Sequence, residues 1–140
     1  MKRTFSTNVN SNAVNSCLLI LRVAVGLFML THGISKLQML MSGDIKFADP
    51  FGIGATPSLV LSVFAEFVCS VLLILGLATR LASIPLIINM LVAVLYAHSA
   101  DPFGKKELPL MYLLVFLTLL ILGAGRYSID HLMGGKSKKR

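Results

Sequence analysis

The sequence predicts an all-α, polytopic membrane protein, a bundle of four transmembrane helices. Two observations support this prediction. Four apolar stretches follow one another along 140 residues, and the composition is 56% hydrophobic and 14% charged, with a mean hydropathy of +0.82. A hydrocarbon core of about 30 Å needs roughly 20 helical residues to cross it. A soluble domain could bury one or two such helices, but four would leave too little polar surface to cover them.

The predicted spans cover residues 17–37, 58–77, 81–97 and 108–124. The first two are long enough to cross a bilayer, and the last two are at the short limit. The turn at 78–80 is short, so spans two and three should be antiparallel neighbours. A charged start before an apolar run also resembles a signal peptide, but no small-residue cleavage motif follows Leu30, which favours a retained span. We expect a flexible polar tail at 1–16, the transmembrane domain at 17–132 and a basic tail at 133–140.

The charge distribution predicts the orientation. With four spans, both termini share one side with eight basic residues: Lys2, Arg3, Arg80, Arg126, Lys136, Lys138, Lys139 and Arg140. The other side has four basic residues, Lys36, Lys46, Lys105 and Lys106, offset by Asp44, Asp49, Asp101 and Glu107. Basic loops stay inside, so we expect a multi-pass protein of the inner (plasma) membrane with both termini cytoplasmic. The net charge of +7 is then explained by topology and anionic lipid headgroups, without nucleic acid.

Ionisable side chains at membrane depth define a first candidate site. Glu66 lies near the middle of span two, where it must be protonated, paired or in contact with water or a ligand. Arg22 lies in span one. The candidate intramembrane polar site consists of Arg22, Ser62, Glu66 and Ser70, and we expect Arg22 and Glu66 to approach each other. The pair could be a structural ion pair or a functional site.

The first span also carries two glycines on the face that holds Arg22 and Lys36. Gly26 and Gly33 should let another helix approach closely, as small residues do in membrane interfaces. Asn89, in span three, is expected to bond across helices. Cys17 and Cys69 both lie in spans and are expected to be inert thiols rather than a disulfide.

A second candidate cluster lies at the outer ends of the spans and consists of His32, Lys36, His98 and Glu107. Two histidines at similar depth suggest a bis-His haem. However, a helical wheel places His98 opposite Asn89 and Tyr96, which disfavours haem, and we expect no metal site. Interfacial hydrogen bonding is the simpler interpretation of these histidines.

Four motifs, one for each span in order, add a family resemblance. They are Arg22 and Gly26 with His32-Gly33-x-x-Lys36-Leu37; Glu66 with Leu75-Gly76-Leu77-Ala78-Thr79-Arg80-Leu81-Ala82; His98 with Asp101-Pro102-Phe103 and Glu107; and Gly123-Ala124-Gly125-Arg126-Tyr127-Ser128-Ile129-Asp130. Together they resemble the DoxX family of small four-helix membrane proteins over roughly residues 17 to 132. Ala124 departs from the family pattern, which has proline between the glycines.

The resemblance implies a link to redox chemistry. The family takes its name from a subunit of an archaeal thiosulfate:quinone oxidoreductase, and some members have been linked to membrane redox complexes or thiol stress. The family has no agreed catalytic residue. The motif positions carried over are Arg22, His32, Lys36, Glu66, Arg80, Glu107, Arg126 and Asp130.

Three functions follow as hypotheses. The first is a membrane subunit or accessory of a quinone-linked redox complex, in which Glu66 handles a proton. The sequence has no cluster-binding cysteine set and no flavin fingerprint, so electrons would come from a redox partner protein. The second is a non-catalytic assembly or interaction protein. The third is a small-solute carrier, which would need a homo-oligomer because four short helices form a narrow bundle.

Overall fold

The computed structural model describes residues 7–135, and all regular secondary structure in this part of the chain is helical. The helices are α1 (Ser11–Ser42), α2 (Ala55–Leu75), α3 (Thr79–Ala97), α4 (Phe103–Leu122) and α5 (Ile129–Gly135). A π-helical turn, Phe64–Val68, interrupts α2, and a second one, Ala93–Ala97, ends α3. No strand occurs between residues 7 and 135. The predicted tails lie partly outside the described residues, at 1–6 and 136–140.

The first helix begins earlier than the hydropathy pattern indicates. The side chain of Asn10 accepts hydrogen bonds from the backbone N–H groups of Asn12, at 2.9 Å, and Ala13. An asparagine at this position satisfies N–H groups that have no partner inside the helix. The helix therefore starts at Ser11, inside the segment predicted as a tail, and ends at Ser42, where it is capped by Gly43 with a φ of 76°.

Three helices of the described chain are long and apolar enough to cross a membrane, namely α1, α2 and α3. The predicted fourth span is also helical, but α4 carries Lys105, Lys106 and Glu107 near its start. Its apolar part is therefore shorter than the helix. Length and composition support three spans, so the predicted count of four is not confirmed.

The four long helices pack around a common core. Helix α1 packs on α2, α2 on α3, and α3 along α4. The fully buried apolar side chains include Met29, Leu73, Leu86, Phe116 and Leu119. Many large apolar side chains point outward, among them Phe28, Leu81, Leu114 and Ile121. An exposed apolar surface of this extent marks contact with lipid, as expected of a membrane protein.

Glycine contacts set the register between α1 and α2. A Cβ atom on Gly33 would lie 2.6 Å from the backbone carbon and oxygen of Glu66. A Cβ atom on Gly26 would lie 2.7 Å from Ile74 Cγ1 and 3.2 Å from the Ser70 carbonyl oxygen. The prediction that these glycines admit another helix is confirmed. Because Gly33 faces Glu66, the side chain of Lys36, one turn further along α1, is brought beside that carboxylate.

Candidate functional site

Glu66 occupies the centre of a buried polar cluster. This residue is 2% exposed and lies within the π-helical turn of α2. The Lys36 ammonium donates to Oε1 and forms a salt bridge with it. The Asn89 side chain donates to the same oxygen at 2.6 Å. Glu66 Oε2 is buried and has no hydrogen-bond partner among the described residues.

Ser62 closes this arrangement into a network. Its hydroxyl oxygen accepts from Lys36 Nζ at 3.0 Å and its O–H donates to Asn89 Oδ1 at 3.1 Å. Hydrogen bonds and the salt bridge thus connect side chains of α1, α2 and α3. We call Lys36, Ser62, Glu66 and Asn89 the Glu66 cluster. Its formal charge sums to zero, because one cation is paired with one carboxylate. The prediction that Asn89 bonds across helices is confirmed.

Two cavities open onto this cluster. The larger, about 570 Å³, lies between the 43–54 loop and the ends of α1, α2 and α3. We call it the chamber. The smaller, about 170 Å³, lies towards α4, and we call it the cleft. Lys36, Glu66 and His98 line both of them. The chamber lies within the range of roughly 300–1,000 Å³ that is usual for small-molecule sites.

The 43–54 loop covers the chamber. The carboxylate of Asp49 accepts hydrogen bonds from Ile53 N at 3.0 Å, Gly54 N at 2.8 Å and Ser58 Oγ at 3.1 Å. These hydrogen bonds lower the pKa of Asp49, and the one from the Gly54 N–H has the largest effect. The Phe47 ring centroid lies 5.6 Å from Lys36 Nζ, within reach of a cation–π contact. The loop is therefore tied to the bundle on both sides of the chamber.

Three of the four residues predicted as an outer cluster meet at the cleft. His32 packs edge-on against Tyr112, with 6.1 Å between ring centroids, and both line the cleft with Lys36 and His98. Glu107 is exposed and lines neither cavity.

The helical wheel placed His98 on the wrong face. The π-helical turn Ala93–Ala97 accommodates an extra residue before His98, which changes the face on which His98 lies, and the His98 side chain lines the chamber together with Asn89. His98 Nδ1 lies 2.7 Å from Asp101 Oδ2, and this hydrogen bond lowers the pKa of Asp101. Between residues 7 and 135 no group of three or more His, Cys, Asp or Glu residues could hold a metal ion.

The predicted approach of Arg22 to Glu66 is wrong. Arg22 is 1% exposed and donates to the carbonyl oxygens of Ala124 and, at 2.8 Å, Tyr127. Its guanidinium carbon lies against Gly76. Because Glu66 faces Gly33, Arg22 is about 16 Å away along the axis of α1, at 1.5 Å per residue.

The other two members of that predicted site, Ser62 and Ser70, also lie in different places. Ser62 belongs to the Glu66 cluster, whereas Ser70 lies deeper on α2, with its backbone against Gly26. Ser70 is fully buried, and its hydroxyl has no partner among the described residues.

Arg22 belongs instead to a second structure at the opposite end of the bundle. There Asp130 accepts from the backbone N–H groups of Ala78 at 2.7 Å and Thr79 at 2.9 Å, and so caps α3. Arg80 donates to the Ile121 carbonyl oxygen at 3.2 Å, and the Arg126 N–H donates to the Asn15 side chain at 2.9 Å. These motif residues join the C-terminal segment to the bundle.

The candidate sites predicted from the sequence left out several residues that line the chamber or the cleft. Phe47, Asp49, Tyr96 and Tyr112 contact or line the cavities but lie in loops or apolar helices, where no spacing singles them out. The pairing of Lys36 with Glu66 was missed although both residues were singled out. The signal that could have found it is the position of Lys36 one turn after Gly33.

Comparisons with known proteins agree with this architecture. The DoxX family model matches residues 17–99. A Bacillus subtilis protein named "Putative oxidoreductase CatD" is 33% identical over 115 residues, which cover 80% of this chain and 83% of that protein. An uncharacterized protein of Haemophilus influenzae is 33% identical over 118 residues, 79% of this chain and 86% of its own.

A third relative is the uncharacterized membrane protein Rv3486 of Mycobacterium tuberculosis, 32% identical over 128 residues, which cover 79% of this chain and 77% of its own. No solved structure matches the chain. The family match spans more than half of the chain, and the relatives cover most of it. The chain belongs to the DoxX family of membrane proteins.

Proposed function

We propose that this protein is a membrane subunit of a quinone-linked redox complex, with the Glu66 cluster as the site that holds the quinone ring. One observation supports this proposal most directly. Glu66 is buried and ion-paired through one oxygen, while its second oxygen has no partner between residues 7 and 135 and the side chain borders a chamber of about 570 Å³. A buried polar atom without a partner is costly unless a ligand or water satisfies it.

The chemistry of the cluster suits a quinone. A quinone is neutral, and so is the cluster as a whole, so neither has to bury an uncompensated charge. The Lys36 ammonium can donate to a quinone carbonyl, and Glu66 Oε2 can accept from the hydroxyl of a hydroquinone. Reduction of the quinone takes two electrons and two protons and converts both carbonyls to hydroxyls.

The two electrons come, in this proposal, from a partner dehydrogenase. The protons come from water through the cleft, whose lining includes His32, His98 and Tyr112. Glu66 borders both spaces, so it is placed to relay a proton between them. The name of the Bacillus subtilis relative, "Putative oxidoreductase CatD", is consistent with this reaction class.

The alternatives have less support. A carrier path through Arg22, Ser62, Glu66 and Ser70 is disfavoured because Met29, Leu73, Leu86 and Phe116 fill the bundle with fully buried apolar side chains. A purely structural role for the Lys36–Glu66 pair explains the salt bridge but not the chamber beside it. It is the alternative that the experiments below distinguish.

The proposal includes a topology. We propose that α4 is a fourth span, that both termini are cytoplasmic and that the protein resides in the plasma membrane. The Glu66 cluster then lies in the outer half of the bundle. The positions of Arg80 and Arg126, both at the opposite end, support this orientation. The redox partner, or a second copy of the chain, would dock against the apolar outer surface.

The deciding experiment compares Glu66→Gln with Asp44→Asn. Both changes turn a carboxylate that is bonded to a lysine into an amide, but Asp44 is exposed in the loop and pairs with exposed Lys46. We expect Glu66→Gln to lower substrate-dependent quinone reduction by native membranes by about 100-fold or more, the scale of acid–base catalysis. Asp44→Asn should match the wild type.

Two further measurements make the result interpretable. The melting temperature of each purified variant shows whether Glu66→Gln remains folded, as the retained amide hydrogen bonding leads us to expect. Native mass spectrometry of the protein taken gently from its own membranes should show a bound quinone or a co-purifying dehydrogenase subunit. Unchanged quinone reduction in a folded Glu66→Gln variant would eliminate the proton role.

A further inference from the structure

A third cavity lies on the lipid-facing side of the Glu66 cluster. It is a groove of about 300 Å³ between α2 and α3, capped by the 43–54 loop. We call it the α2–α3 groove. Its outer walls are apolar and include Phe47, Phe51, Leu61, Phe64, Ile88 and Val92. Its inner wall carries Ser62 and Asn89, two members of the Glu66 cluster.

The groove and the chamber are neighbours that share part of their lining. Phe47, Pro50, Ser62, Asn89 and Val92 line both of them. A molecule in the groove would therefore lie against Ser62 and Asn89, the two cluster members that line both cavities.

The mouth of the groove faces the bilayer. Leu61, Phe64 and Ile88 are 56%, 48% and 53% exposed on the outer surface of α2 and α3. In a protein that spans a membrane, such apolar side chains lie against lipid tails. The polar side chains that line the groove, Ser58, Ser62 and Asn89, are less exposed than these apolar side chains. This gradient suits an occupant with an apolar tail and a polar head.

We propose that the α2–α3 groove is the binding site for the apolar tail of the quinone, which reaches the Glu66 cluster laterally from the bilayer. This inference rests on the proposed function and specifies its substrate as a tailed, membrane-soluble quinone. Tail and protons use different routes. The tail occupies the lipid-facing groove, and protons move through the cleft beside α4.

The charge of the Glu66 cluster favours a quinone over a phospholipid as the molecule whose head meets the cluster. A phosphate headgroup at this position would meet the Glu66 carboxylate, while Lys36 is already paired with that carboxylate. A quinone ring carries no charge and needs only hydrogen-bond partners. A lipid tail alone could fill the apolar groove, so lipid occupancy is one outcome of the test.

The test narrows the groove without touching the cluster. Leu61→Trp and Ile88→Trp add bulk at the mouth, at positions exposed enough to accept it. The matched control is Leu114→Trp, at an outward position of α4 that is 65% exposed and belongs to neither the groove nor the chamber. Each protein is reconstituted in nanodiscs.

Binding is then measured for two ring-matched pairs, decylubiquinone with the same ring lacking its tail, and a prenylated menaquinone with menadione. We expect the groove variants to weaken binding of the tailed quinones about tenfold or more and to leave the tail-less rings unchanged. Leu114→Trp should change neither. Glu66→Gln should weaken tailed and tail-less quinones alike.

Other results overturn the inference in distinguishable ways. If the groove variants bind both kinds of quinone as the wild type does, the tail does not lie in this groove, although the proposed function stands. If native mass spectrometry shows a phospholipid that tailed quinones do not displace, the groove is a lipid site. If no quinone binds the wild type and Glu66→Gln changes nothing, the proposed function fails and the inference fails with it.

Discussion

At the scale of single residues, the two carboxylate oxygens of Glu66 differ in their hydrogen bonding. Both of its donors, Lys36 and Asn89, bond to Oε1, and Oε2 has none among the described residues. Lys36 is less buried, with 26% of its side chain exposed, and borders the chamber. The pair therefore combines a nearly dry carboxylate with a cation that can contact a ligand or water.

Exchanging the two charges separates structure from function. In the double variant Lys36→Glu with Glu66→Lys, the attraction is retained, so the melting temperature should stay within a few degrees of the wild type. Glu66→Lys alone should be destabilised by about 3–5 kcal/mol, the cost of leaving a buried charge without its partner. Thermal unfolding of the detergent-solubilised proteins measures both effects.

Quinone reduction by the same variants then gives the functional answer. We expect the folded double variant to be inactive, because its carboxylate sits at the partly exposed α1 position and no longer beside Asn89. Full activity in the exchanged protein would mean that the pair serves only to hold α1 against α2.

At the scale of the helices, two irregular turns shape the site. The π-helical turns Phe64–Val68 and Ala93–Ala97 both border the chamber. A π turn widens a helix and turns the side chains beyond it onto a different face. Neither π turn contains a proline or a glycine, so the sequence gives no sign of the irregularity. For this reason the wheel misplaced His98, whereas Glu66 itself could be identified from its burial cost alone.

Gly33 is the contact that brings these elements together. Alanine at this position would place its Cβ 2.6 Å from the Glu66 backbone, which cannot move aside as a flexible side chain can. We expect Gly33→Ala to cost about 1–3 kcal/mol of unfolding free energy, the usual cost of overpacking. Quinone binding should weaken too, because α1 carries Lys36 away from the cluster.

The matched control is Gly104→Ala, since a Cβ there meets nothing within 4 Å. Stability in this control should stay level or rise by up to about 1 kcal/mol, as alanine restricts the unfolded chain. Denaturation curves of the two variants under one detergent condition provide the comparison. Equal stability of both would show that α1 and α2 are not held at this distance.

At the scale of the whole molecule, the bundle has two chemically different ends. The Glu66 cluster, the chamber and the cleft lie at one end, and Arg22, Arg80 and Asp130 lie at the other. The all-α membrane class, the helix order and the two glycines could be predicted from hydropathy and spacing. The assignment of Arg22 could not, because periodicity defines a face of a helix but not the depth at which a partner meets it. That depth was set by the Gly33–Glu66 contact, which only the packed structure reveals.

The position of each end relative to the membrane can be measured directly. In a Cys17→Ser background, with Cys69 buried, we place single cysteines at Ser99, between α3 and α4, and at His131 on α5. In right-side-out vesicles a membrane-impermeant maleimide should label Ser99→Cys at once and His131→Cys only after lysis. Labelling of both from the same side would show that α4 does not cross the membrane.

The cap on α3 also fixes the order in which the parts of the bundle are completed. Asp130 bonds to the backbone of Ala78 and Thr79, which the ribosome makes about 50 residues earlier. Ala78 meanwhile holds a left-handed conformation, with φ of 49°, that is unusual for a residue with a side chain. The turn between α2 and α3 therefore lacks this cap while the chain is shorter than 130 residues. That turn can receive its cap only after Asp130, on α5, has been synthesised. Completion of this end of the bundle is therefore a late event in biogenesis, and a capped turn shows that synthesis has passed Asp130.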